Sequence, residues 1–127
     1  TLLGFLRHHK PFQILTTKSM DGGLTWSTAQ PSNILGSPPH ALRHSSGAIV
    51  CVYGYRLAPY GQRAMISRDH GMTWQHDIIL RDDGPDNDLG YPASVELPGG
   101  DLLTVYYQKL NHGEKCSLLY TRWQLPS

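Results

Sequence analysis

Ser19-Met20-Asp21-Gly22-Gly23-Leu24-Thr25-Trp26 returns 48 residues later as Ser67-Arg68-Asp69-His70-Gly71-Met72-Thr73-Trp74, with Ser, Asp, Gly, Thr and Trp kept in register. A fixed period of this kind marks a repeated structural unit, which local propensity alone would miss. Each kept residue has a task in a hairpin corner. The aspartate can accept hydrogen bonds from backbone N–H groups two or more residues ahead, the glycine supplies a positive φ, and the tryptophan buries a large ring at a seam between strands. The octapeptide therefore reads as a staple. Ser19, Asp21, Gly23, Thr25 and Trp26, with Ser67, Asp69, Gly71, Thr73 and Trp74, are assigned structural roles, and the two tryptophans are expected in equivalent buried positions. Their carboxylates are not read as a glycosidase acid pair.

Outward from the boxes, thirteen glycines, nine prolines and seven tyrosines lie between short β-branched and aromatic runs, and no stretch of ten or more residues keeps a helical period. The expectation is all-β, with strands at 2–7, 12–17, 47–55, 63–67, 75–80, 93–97, 101–108 and 115–123. A 48-residue period falls in the range of a propeller blade. The fold class read here is a partial β-propeller of about two and a half four-stranded blades, in one domain with repeat units at roughly 1–36, 37–86 and 87–127. An unclosed array leaves apolar faces uncovered, so the reading adds self-association or the remaining blades of a larger chain.

Eleven basic against ten acidic side chains leave a formal charge of +1, with no basic block to hold nucleic acid or an anionic membrane. The longest apolar run, Ala48-Ile49-Val50-Cys51-Val52-Tyr53, is too short to span a bilayer, and no charged-then-apolar leader opens the sequence as given. Cys51 and Cys116 allow at most one internal bridge and do not select a redox compartment.

The two boxes resemble the Asp boxes of sialidases and other BNR-repeat proteins, and the resemblance continues into the run Asp88-Leu89-Gly90-Tyr91-Pro92-Ala93-Ser94-Val95-Glu96-Leu97-Pro98-Gly99-Gly100-Asp101-Leu102-Leu103-Thr104-Val105-Tyr106-Tyr107, which is similar to the last catalytic blade of that family. It implies that Tyr91 is the nucleophile equivalent, since an anionic sialoside would repel a carboxylate nucleophile. The other reading of Tyr91 is an aromatic ring packed at a strand entrance. The resemblance also implies arginines that grip a substrate carboxylate through a guanidinium fork. Arg7 and Arg56, each ending the run before its box strand, are the matched candidates, with Arg63 a further one. Asp88 is the acidic residue expected to face a ligand, and His40 either reaches the pocket mouth or is a satisfied structural histidine. A first arginine, an aspartate acid/base and a glutamate that activates the tyrosine have no counterparts to assign, and neither Glu96 nor Glu114 is given a catalytic role.

The acidic stretch Asp82-Asp83-Gly84-Pro85-Asp86-Asn87-Asp88 carries calcium-type oxygens, but its spacing is not that of an EF-hand, and it reads as a solvated loop. Neighbouring His8 and His9 would point to opposite faces of a strand, so no metal is assigned to them. No cofactor is expected. Two functions follow: a sialidase-like protein that acts on or binds terminal acidic sugars, incomplete as a catalyst alone, and a non-catalytic carbohydrate-binding or assembly module on the same blades. The resemblance favours a secreted or periplasmic setting.

Overall fold

The computed structural model describes residues 1–10 and 12–127 and contains ten strands: β1 (Leu2–His9), β2 (Phe12–Ser19), β3 (Gln30–Pro31), β4 (Pro39–Arg43), β5 (Ile49–Tyr55), β6 (Tyr60–Ser67), β7 (Gln75–Gly84), β8 (Leu89–Glu96), β9 (Leu102–Gln108) and β10 (Ser117–Trp123). No helix occurs among the described residues. The strands form three antiparallel sheets with the orders β1-β2-β3, β4-β5-β6-β7 and β8-β9-β10. One sheet is four-stranded and two are three-stranded, and each lies within one of the three repeat units read from the sequence.

The sequence reading missed β3 and β4, because Pro31, Pro38 and Pro39 look like turn residues. Both strands are sheet edges, where a proline costs no ladder hydrogen bond. It also began β6 and β8 too late, since their opening residues Tyr60-Gly61 and Leu89-Gly90 carry glycines and register shifts.

The middle sheet is covered on both faces, which explains why β5 is a continuous apolar run instead of an alternating one. Successive side chains still point opposite ways. Cys51, Tyr53 and Met65 pack with Ile14 and Ile34 of the first unit, with Phe5 and Trp74 against them. Val50, Val52, Ala64 and Ile66 pack with Leu102 of the third sheet, with Trp123 and Leu125 against them. The three sheets therefore stack in chain order.

Both boxes fold alike. Asp21 Oδ1 accepts from the Thr25 amide at 2.9 Å and from the Ser19 hydroxyl at 2.8 Å, and the Gly23 amide donates to Ser19 Oγ at 2.8 Å. In the second box the same three distances, through Asp69, Thr73, Ser67 and Gly71, are 2.8 Å each. The Thr25 hydroxyl and amide, then the Ser19 hydroxyl, hold the Asp21 carboxyl at about 2, and Thr73 and Ser67 do the same for Asp69. His70, in the place of Gly22, takes a φ of 60° to keep the turn.

The tryptophans correct the expectation of equal burial. Trp74 is half-buried and meets Phe5 of the first sheet edge-on at 5.7 Å. Trp26 holds the same place in its box, donating Nε1–H to the Gly23 carbonyl at 3.1 Å, but is 46% exposed. Geometry and turn chemistry are shared, whereas burial depends on a preceding sheet, which only Trp74 has. Trp74→Ala is expected to cost about 2 kcal/mol, below the full cost of a buried tryptophan, while Trp26→Ala stays within about 0.5 kcal/mol of the parent chain. Urea unfolding of the two variants would show this; equal losses would remove the account.

Candidate functional site

Tyr91 sits in β8 at a register shift between Gly90 and Ala93 and has a φ of 48°, which a bulky side chain seldom adopts. Its neighbour Gly90 is at 119°, and an added Cβ there would stand 3.6 Å from the Gly54 Cα and 3.1 Å from Arg56 Nη2. The glycine lets β8 approach β5, and the bulge turns the tyrosine out of the sheet. Tyr91 is consequently 59% exposed, so it is not the packed ring of the blander reading.

Four aromatic and charged groups gather around it. Arg7 Nη1 donates to the Tyr91 Oη at 3.2 Å, and its guanidinium carbon stands 6.0 Å from the ring centroid. Tyr107 stacks on Tyr91, with centroids 5.9 Å apart. The Tyr107 hydroxyl donates to Asp88 Oδ1 at 3.2 Å, and burial pushes its phenol up. Arg56 lies beside these groups: Nε donates to the Ser37 carbonyl at 3.3 Å and Nη1 to the Asn87 carbonyl at 3.0 Å. Arg7, Tyr91, Tyr107, Asp88 and Arg56 thus form one cluster contributed by all three sheets. Sequence reasoning gave Tyr107, the last residue of the run that holds Tyr91, no role; its place opposite Gly90 in the β8–β9 ladder, which brings it to Tyr91, is decided by strand pairing.

The register of Arg7 and Arg56 needs correction. Leu2 pairs with box residue Ser19 and Ile49 pairs with Ser67, so five residues further on Arg7 corresponds to Gly54, not to Arg56. The two arginines reach the cluster from different ladder positions.

Two other candidates have work elsewhere. Arg63 is almost buried, donating to Asp77 Oδ1 at 3.1 Å and stacked 3.5 Å above the Tyr55 ring. His40 Nδ1 accepts from the Ser94 amide at 3.2 Å, which ties β4 to β8. Glu96 ends β8, and Glu114 lies in the turn before β10. Glu96 accepts from the Ser45 amide at 2.9 Å and from its hydroxyl, and lies 3.3 Å from His44, at the opposite end of β8 from Tyr91. Glu114 accepts from Asn111 at 3.0 Å.

The acidic stretch is only partly a loop: Asp82, Asp83 and Gly84 close β7, where Asp83 pairs with Arg81, and beyond the strand Asp86 pairs with Lys109 at 2.8 Å. Among the described residues no three His, Cys, Asp or Glu side chains gather in the manner of a metal site. Both cysteines are free; burial pushes the Cys51 thiol up to about 12, and Cys116 is exposed beside Asp88. No helix among the described residues is long and apolar enough to cross a membrane.

Fold and cluster together define an all-β protein of three stacked antiparallel sheets with an exposed tyrosine–arginine site at one edge. No family model and no curated protein matches the chain. A crystal structure of a Dyadobacter fermentans DSM 18053 protein of unknown function is similar to it, with 32% sequence identity and a TM-score of 0.89 over 98% of this chain. This chain spans 35% of that one.

Proposed function

We propose that the chain is a set of blades from a sialidase-like Asp-box β-propeller that binds a terminal acidic sugar, such as sialic acid, through the cluster around Tyr91. The observation that carries this reading is the Arg7 guanidinium 3.2 Å from the hydroxyl of a tyrosine forced outward at a positive φ. Backbone strain kept at an exposed polar group is a mark of function when the surrounding fold over-determines it, as the Gly54–Gly90 approach does here. A guanidinium beside a phenol suits a ligand carrying a carboxylate next to its reacting carbon. In this reading Arg7 meets the carboxylate and Tyr91 faces the anomeric carbon.

The blade assignment rests on repeated faces. The first sheet leaves Leu2, Leu6 and Trp26 exposed on the side where the middle sheet covers Trp74 with a neighbour. The third sheet leaves Val95, Val105, Leu118 and Tyr120 exposed on its outer side. Further blades, from a longer chain or a second copy, would cover both.

A non-catalytic binding or assembly module is the second reading, favoured by the engagement of Glu96 with Ser45 and His44 and of Glu114 with Asn111, away from Tyr91. With no carboxylate hydrogen-bonded to Tyr91 to take its proton, the lone chain is expected to bind sugar and to hydrolyse little. A titration with N-acetylneuraminic acid, run beside release of a fluorescent leaving group from an aryl sialoside, separates the readings. Arg7→Ala should weaken sugar binding roughly tenfold, about 1.4 kcal/mol, without changing the melting temperature. Turnover lost in Tyr91→Phe supports catalysis, and binding without turnover supports the module. Sugar affinity unchanged by Arg7→Ala sinks the carboxylate assignment.

A further inference from the structure

Between the first and middle sheets, with Arg56 shared between its lining and the Tyr91 cluster, a cavity of about 470 Å³ opens at the strand-turn end of the stack. This is within the usual size of small-molecule sites. The β1–β2 turn brings His9, Lys10 and Phe12 to one side, the connection before β4 brings Leu35 and Ser37, and the β5–β6 turn brings Arg56 and Leu57. Three large apolar side chains on its wall, Phe12, Leu35 and Leu57, stay 44–48% exposed. Apolar side chains left open together around one concavity mark a binding surface more than a packing defect.

The floor carries an unanswered polar group. Ser37 is fully buried, and its Oγ has no hydrogen-bond partner among the described residues. Its backbone is satisfied, with the amide on the Gly54 carbonyl at 2.9 Å and the carbonyl accepting from Arg56. A buried hydroxyl without a partner is costly, so one that lines a cavity points to a ligand or water that answers it. The charge on the lining is all of one sign, since Lys10 and Arg56 contribute to it and no acidic residue does. Two bonds from Arg56 already go to the Ser37 and Asn87 carbonyls, and Lys10 is the second cation of the lining.

We propose that this cavity binds a small amphipathic carboxylate, with an aryl or alkyl body against Phe12, Leu35 and Leu57, its anionic end at Lys10, and a polar atom on Ser37 Oγ. The ligand class differs from an acidic sugar, and the site does not use Tyr91 or Arg7.

The test is an amide-detected NMR titration of the whole chain with benzoate, hexanoate and neutral benzamide. Benzoate or hexanoate should give saturable shifts at Gly36, Ser37 and Leu57, and benzamide should bind roughly tenfold more weakly than benzoate. Ser37→Ala should weaken the carboxylate roughly threefold to tenfold while the melting temperature holds or rises, because only an unpaired hydroxyl is removed. Lys10→Glu should abolish the preference for benzoate over benzamide. Tyr91→Phe should leave benzoate binding intact, so failure here is distinguishable from failure at the acidic-sugar site. Absence of saturable shifts with either carboxylate, or benzamide binding as tightly as benzoate, overturns the proposal, as does a Ser37→Ala chain that binds like the parent.

Discussion

Tyr53→Ala is expected to lose about 4 kcal/mol of stability, a large part of the 5–15 kcal/mol that a domain of this kind has. Tyr53 is fully buried on the β5 face that meets the first sheet, and its ring lies so close to the connecting segment that a Cβ on Gly36 would come within 2.2 Å of it. The hydroxyl is also used: it donates to Asp77 Oδ1 and accepts from the Asp77 amide, both at 3.3 Å. Truncation would open a cavity at the seam and leave Asp77, itself at a φ of 59°, without one of its supports. Tyr53→Phe keeps the ring and should lose only about 1 kcal/mol. Because this seam sets the first sheet against the middle one, the alanine variant should also part Arg7 from Tyr91 and, under the proposed function, reduce acidic-sugar binding. Denaturant unfolding followed by intrinsic fluorescence measures the first effect. A loss below that of Tyr53→Phe would show that the two sheets are not held together there.

Gly90→Ala should cost about 2–3 kcal/mol and, under the proposed function, remove acidic-sugar binding together with it. At a φ of 119° the position lies where side-chain-bearing residues pay a steric penalty, and the new methyl group would meet Arg56 Nη2 at 3.1 Å and the Ser37 carbonyl at 3.5 Å. Arg56 has little freedom to retreat, since its guanidinium is fixed to the Ser37 and Asn87 carbonyls. The bulge that turns Tyr91 outward would shift with it. Unfolding curves and the Tyr91 ring signals in an NMR spectrum report the two consequences separately. A Gly90→Ala chain with unmoved Tyr91 signals would mean that the bulge does not aim the tyrosine.

The staples were legible because their chemistry is local. Asp21 and Asp69 reach partners only two to four residues away, so the octapeptide carries its own instructions and the same contacts form twice. The all-β class followed from composition and turn residues in the same way. Tyr91 could be selected from its run, but the reason it faces outward could not: its φ depends on Gly90 lying against Gly54, 36 positions earlier in the chain. The matched register of Arg7 and Arg56 was misjudged for a related cause. A slip of two residues in a ladder is invisible until the pairing partners Ser19 and Ser67 are known.

By itself, then, the sequence determined what short-range hydrogen bonding and strand periodicity can specify: two like corners and short strands in an all-β chain. Tertiary structure decided which of two like tryptophans is covered, which arginine meets Tyr91 and which is spent on Asp77, and that Ser37 is buried beside a cavity with its hydroxyl unanswered. Those outcomes depend on groups brought together from distant parts of the chain by sheet stacking, and burial is a property of the neighbour a surface acquires, which no local pattern encodes.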